Sequence, residues 1–231
     1  MNPDDPNVQM VEALLAYLGE LEKQFVFVGG CATGLLITDN ARPAVRATKD
    51  VDVITEVAGH GDYQYLQEQL RQKGFREDPN SDVLCRWKVE DLQVDIMPTD
   101  ARILGFTSQW YREAIATSRR YRMPSGKAIS LISPPMFLAT KIEAFHERGN
   151  QEYGTSHDME DIVTLIDGRP EIVDEVLNAS QSVVDHLQTE IESLLSEPEF
   201  VAAINWHLHP DPANQARAEF VIQRLRAIAG I

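Results

Sequence analysis

Pro134 and Pro135 mark the point at which the hydrophobic pattern of this chain changes period. Before them, short β-branched and aromatic runs alternate with stretches of helical spacing. After them, apolar residues recur three and four positions apart in one segment after another. The first pattern requires a sheet covered by helices, and the second requires helices packed on helices. The expected fold class is therefore α/β (α+β), a mixed sheet flanked by helices and followed by a C-terminal helical region. The expected division is an α/β domain over 1–130 and a helical domain over 131–231. A chain of 231 residues has room for one domain or two small ones.

Within the first part, Val8, Val11, Leu14, Leu15, Leu18 and Leu21 define an amphipathic helix over 7–22, capped by Asp5 or Asn7. FVFVGG (25–30) reads as a buried strand meeting a glycine turn, and CATGLLI (31–37) as the helix after it. VDVIT (51–55) is a second strand. A helix over 62–73 is expected to turn Tyr65, Leu66 and Leu70 inward and to stop at Gly74. Residues 81–98 alternate around Glu90-Asp91 as a hairpin would, ending at Pro98. The later helices are expected at 135–148, 157–167, 170–195, 198–206 and 213–229.

The chemistry concentrates in the α/β part. In RATKDVDVIT (46–55), strand alternation turns Asp50 and Asp52 to one face, where two like charges need a cation, a basic group or water. In LQVDIMP (92–98), Gln93, Asp95 and Met97 share a face opposite Val94 and Ile96. Gly29-Gly30 sits at a strand-to-helix turn, where glycine permits close approach of a phosphate and the helix N–H groups favour anions. Three carboxylates on adjacent strands form a hard oxygen site suited to Mg²⁺, and a pair of such ions suits in-line phosphoryl displacement. Plainer readings stand beside these: turn chemistry for the glycines, a solvated edge strand for Asp50 and Asp52, and an arginine partner for Asp95. Arg42, Arg46 and Lys49 lie near the aspartates, and Arg46 could be their internal counter-charge.

Taken together, VGGCATGLL, RATKDVDVI and LQVDIMP resemble the signature of the nucleotidyltransferase (polymerase-β-like) superfamily. The Arg46-x-Thr48-x-Asp50-x-Asp52 lead-in and the later SPPMFLATKIEAFHERG and HDMEDIVTL (133–165) resemble its AbiEii-like branch, the toxins of type IV toxin–antitoxin systems. The resemblance covers roughly residues 25–165. It implies a Mg²⁺-dependent enzyme that moves an NMP from an NTP to an RNA, protein or small-molecule acceptor, with a cognate antitoxin as a partner. Asp50, Asp52 and Asp95 would be the catalytic metal ligands of a two-metal site, with Asp95 helping to activate the attacking group. Gly29, Gly30, Arg46, Thr48, Lys141, Asp158 and Asp161 would serve the nucleotide. A serine that many relatives carry after the first glycine is Gly30 here. A catalytically silent member of the fold and a phosphotransferase on the same scaffold remain as rivals.

On the helix expected at 135–148, Lys141 shares the apolar stripe of Leu138, Ile142 and Phe145, so it either snorkels to solvent or points into a cleft. Asp158, Asp161, Ile162 and Leu165 share one face of the next helix, and Asp158 could simply complement the helix dipole. The formal net charge of −15 argues against broad nucleic-acid or anionic-membrane binding. WYREAIATSRRYRMPSGK (110–127) is the one basic stretch, able to grip phosphates or RNA, or to pair with the protein's own acids. Cys31 and Cys85 are far apart and form no CxxC, and reduced thiols are expected. His207 and His209 in WHLHPD lack a third ligand and suit a loop or helix-end role. The acidic N-terminus and the lack of a long apolar run lead to the expectation of a cytoplasmic protein.

Overall fold

The computed structural model describes residues 5–39, 45–79, 81, 83–148 and 152–231. Arg42, expected near the aspartates, lies outside the described residues. The chain divides into two compact units. One comprises Asn2–Leu35 with Arg46–Ser133, and the other comprises Leu36–Val45 with Pro134–Ile231.

The first unit is built on a seven-stranded mixed sheet. Its strands are β1 (Val26–Val28), β2 (Val51–Thr55), β3 (Arg76–Glu77), β4 (Arg86–Val89), β5 (Leu92–Pro98), β6 (Arg119–Arg122) and β7 (Ala128–Leu131). They lie in the order β3-β4-β5-β2-β1-β7-β6. The central strands are largely buried, with Val51, Val53, Val94 and Ile96 on the face opposite Asp52 and Asp95. Phe27, Val51, Val53, Ile54, Val94 and Ile96 are all fully buried. Pairing is parallel for β2 with β5 and β1 with β7, and antiparallel elsewhere.

The helices of this unit follow from local signals. Helix α1 (Pro6–Leu18) starts where Asp5 accepts from the Asn7 N–H, with Pro6 pre-set for the first turn. A 3-10 turn (Gly19–Gln24) replaces its expected last turn. Helix α2 (Gly29–Leu36) begins at the first glycine, two residues earlier than its sequence suggests. Helix α3 (His60–Gln72) buries Tyr63, Leu66 and Leu70, while Tyr65 is 67% exposed. Tyr65 is thus a correction: the i, i+3, i+7 stripe is read from Tyr63. Short helices α4 (Ala101–Leu104) and α5 (Tyr111–Ala116) complete the unit.

The second unit is helical: α6 (Pro134–Glu147), α7 (His157–Gly168), α8 (Ile172–Leu177), α9 (Gln181–Ser196), α10 (Pro198–Ala203), α11 (Pro212–Gln215) and α12 (Ala218–Ala229). The single helix expected over 170–195 is two, parted at Asn178–Ser180, where the Asn178 side chain donates to the Asp174 carbonyl. Competition of this kind from an Asn side chain ends helices. Another expected single helix, 213–229, also divides, at Ala216-Arg217. Within this unit the Gly168 carbonyl accepts from the N–H groups of Thr38 and Asp39. Arg169 donates to the Leu36 carbonyl, and Arg217 bridges Asp39 and Asp167. These bonds stitch the segment after Leu36 to the helices. None of the helices among the described residues is long and apolar enough to cross a membrane.

Helix α9 packs against α12 and α6, and Leu187 is fully buried there. Leu187→Ala is expected to destabilise the protein by about 2–5 kcal/mol, through lost transfer energy and the cavity left behind. Urea unfolding followed by circular dichroism measures it.

Candidate functional site

Strand register assembles the acidic cluster. The parallel pairing of β2 with β5 places Asp52 directly opposite Asp95. The antiparallel pairing of β4 with β5 places Arg86 opposite Asp95 on the other side, and β1 places Val28 opposite Asp52. Paired residues share a face, so Val28, Asp52, Asp95 and Arg86 form a row across four strands. Asp50 precedes the first residue of β2 and reaches the same row through Arg86.

Arg86 is the residue that sequence reading missed. Its Nε–H donates to Oδ1 of Asp95 at 2.8 Å and its Nη2–H to Oδ2 of Asp95 at 2.7 Å. The same Nη2 donates to Oδ2 of Asp50 at 2.5 Å. This is a bidentate fork on one carboxylate with a bridge to a second, the arrangement that a planar guanidinium makes and an ammonium does not. The hydrogen bond to Asp95 raises the Arg86 pKa further, with the charges of Asp95, Asp50 and Asp52 adding to it against the effect of burial. Burial, then the charges of Asp95 and Asp52, push the neighbouring Cys85 thiol up to about 12. Cys85 and Cys31 are both buried, and the Cys31 thiol donates to the Val28 carbonyl. The role of internal counter-charge, for which Arg46 was a candidate, thus belongs to Arg86 for Asp50 and Asp95.

Arg46 and Thr48 have a shared backbone role. The buried Asn7 side chain donates to the Arg46 carbonyl at 2.9 Å and accepts from the Thr48 N–H at 2.8 Å. The Thr48 hydroxyl donates to the Asp50 carbonyl at 3.1 Å. Asn7 therefore anchors the lead-in that delivers Asp50, and Asp5 rather than Asn7 caps the helix.

Gly29 shapes the other flank. Its φ is +63°, in the left-handed region, and a Cβ there would lie 1.9 Å from Oδ2 of Asp52. Only glycine lets the backbone pass so close to that carboxylate. Gly30 is buried in the first turn of α2. Hard carboxylate oxygens beside a glycine cradle fit Mg²⁺ in kind. Their arrangement is set by Arg86, however. Among the described residues no group of three or more carboxylate, imidazole or thiol side chains is placed to hold a metal ion.

Lys141, Asp158 and Asp161 form a cluster of their own in the helical unit. The Lys141 ammonium lies 3.1 Å from Asp158 and 2.6 Å from Asp161, all three buried, and Arg148 adds a contact to Asp158 at 3.3 Å. Neither snorkelling nor a dipole role alone describes this cluster; it is a buried ion-pair network. A cavity of about 270 Å³ lies beside it, lined in part by Phe145, Arg148, His157 and Asp158.

The basic stretch divides. Trp110 is buried, while Arg119, Arg120 and Arg122 are exposed on the edge strand β6. Arg120 donates to the Ala128 carbonyl and lies 3.8 Å from Glu22. His207 hydrogen-bonds the Tyr153 carbonyl at 2.7 Å, and His209 bonds Asp211, which caps α11.

Two predictions follow from these contacts. Gly29→Ala forces Asp52 aside and places alanine at positive φ, so it should cost about 1–3 kcal/mol in urea unfolding. Burial lowers the His207 pKa from 6.5. The unfolded chain then binds more protons than the folded one, so this group's stabilisation is full above about pH 6.5 and is lost as pH falls. Melting temperature should decline below that pH, and His207→Gln, which keeps a donor, should flatten the decline.

No family model matches the chain, and no match is found among curated proteins. Solved structures do match. An antigenic nucleotidyltransferase-like protein from Paracoccidioides brasiliensis is 23% identical, with a TM-score of 0.55 over 87% of this chain and 93% of its own. A candidate nucleotidyltransferase from H. pylori is 12% identical, with a TM-score of 0.51 over 100% of this chain and 96% of its own. With its mixed seven-stranded sheet and flanking helices, the chain has the α/β fold of nucleotidyltransferase-like proteins.

Proposed function

We propose that this protein transfers a nucleoside monophosphate from an NTP to a hydroxyl or phosphate acceptor. The observation that carries the reading is the row of Asp52 and Asp95 on adjacent parallel strands, with Gly29 pressed against Asp52. A nucleophilic oxygen of the acceptor attacks the α-phosphorus of the NTP, the bond to the bridging oxygen breaks, and pyrophosphate leaves. Catalysis of this type is mostly positioning and charge neutralisation.

The roles of the residues follow from chemistry and placement. The backbone N–H groups at Gly29 and Gly30 open the eight-residue helix α2, where an anionic triphosphate is favoured. Asp50, Asp52 and Asp95 would hold Mg²⁺, which when bound supplies charge neutralisation at the transferring phosphoryl group. Asp95 is our choice to accept the proton of the attacking hydroxyl. Asn7, Thr48 and Arg46 hold the lead-in to Asp50, and the Lys141–Asp158–Asp161 network holds α6 to α7. The exposed arginines of β6 are candidates for contact with a phosphate-bearing acceptor such as RNA. The motif likeness to the AbiEii-like branch extends the proposal to a toxin role with an antitoxin partner.

A second reading, a catalytically silent nucleotide-fold protein, is favoured by one observation: Arg86 already engages Asp50 and Asp95.

Incubation with each α-labelled NTP and Mg²⁺, together with total tRNA, cell protein or aminoglycoside acceptors, tests the proposal. Label should move to an acceptor with release of pyrophosphate, and Asp52→Asn should slow transfer by at least about 100-fold. Release of NDP would indicate a phosphotransferase instead. No transfer to any acceptor, with no Mg-NTP thermal shift, favours the silent reading. Growth arrest on expression, relieved by Asp52→Asn, tests the toxin role.

A further inference from the structure

We infer that Arg86 is a built-in competitor for the metal, a guanidinium latch that holds Asp50 and Asp95 and must let go of them when a divalent cation binds. The inference rests on the nucleotidyl-transfer reading for the identity of that cation.

The geometry supports a latch over a fixed structural pair. One nitrogen, Nη2, serves both Asp50 at 2.5 Å and Asp95 at 2.7 Å, so two of the three carboxylates are oriented by a single group. Asp52 stands outside that fork but within reach of its charge. The charges of Asp95, Asp50 and Asp52 all act on this guanidinium, and carboxylates held close together suit a further cation. The side chains of Arg86 and Asp50 are 19% and 28% exposed, so solvent can replace the guanidinium's contacts as it leaves. A guanidinium and a metal ion seek the same carboxylate oxygens. Arg86 stands on β4 in direct register with Asp95, so it remains beside the cluster once displaced. From there it can meet an incoming phosphate, for which a guanidinium fork is well matched.

The test uses Mg²⁺ alone, without nucleotide, titrated calorimetrically into the wild-type protein, Arg86→Gln and Arg86→Lys. Arg86→Gln should bind Mg²⁺ at least about tenfold more tightly than wild type, and Arg86→Lys by a smaller margin, since an ammonium cannot fork. Adding Asp52→Asn to Arg86→Gln should remove the gain. In the wild type, the Arg86 Nε–H resonance, identified by its loss in Arg86→Lys, should shift and exchange faster with solvent as Mg²⁺ saturates. Equal affinity of wild type and Arg86→Gln, or an undisturbed Nε–H resonance at saturation, overturns the latch. Should Arg86→Gln not fold, the wild-type resonance decides alone. Transfer activity without tighter Mg²⁺ binding by Arg86→Gln would sink the latch and leave the function standing. Tighter Mg²⁺ binding without transfer to any acceptor would do the reverse.

Discussion

The parallel pairing of β2 with β5 is the constraint on which the site depends. Parallel strands need a crossover between them, and here α3 and the β3–β4 ribbon intervene between Thr55 and Leu92. That long connection brings Asp52 and Asp95 opposite one another in register, although they are distant in sequence. A slip of one residue would turn one of the carboxylates into the core, among Val94, Ile96 and Val53. Burial of those apolar neighbours therefore fixes the acidic row as firmly as it fixes the sheet. Like charges forced together in this way need an opposing charge, and β4 supplies it at the next position of the same row.

Much of this was legible in the residues themselves. The strand at 51–55, the change of character at Pro134-Pro135 and the alternation of β5 needed only periodicity. Tyr65 and the undivided helix over 170–195 were misread for local reasons. The first chose the wrong one of two tyrosines two positions apart, and the second overlooked an Asn-Ala-Ser break inside an otherwise periodic run. Neither error touches the acidic row.

Arg86 was missed for a different reason, and a signal for it existed. The hairpin turn was placed at Glu90-Asp91, and Glu90 does take positive φ there. Counting outward from that turn pairs Val89 with Leu92, Lys88 with Gln93, Trp87 with Val94, and so Arg86 with Asp95. Register in a hairpin is fixed by its turn, so the partner of Asp95 followed from the turn alone. Asn7 offered no such signal. Its contacts to Arg46 and Thr48 span about forty residues and depend on how α1 lies against the sheet. The placement of Lys141 between Asp158 and Asp161 likewise depends on how α6 packs on α7.

The two charge clusters show how burial separates roles that composition cannot. Each sets a basic side chain between two aspartates at hydrogen-bond distance. The Lys141 group is enclosed on every member: its lysine is 11% exposed and its aspartates 3% and 5%. Breaking such a group leaves an uncompensated buried charge, so it acts as a fixed joint between helices. The Arg86 group is open at its Asp50 end, where exchange of one cation for another exposes no bare charge to the core. The same physical rule thus makes one cluster a fastening and leaves the other open enough for the ion exchange we propose at Arg86.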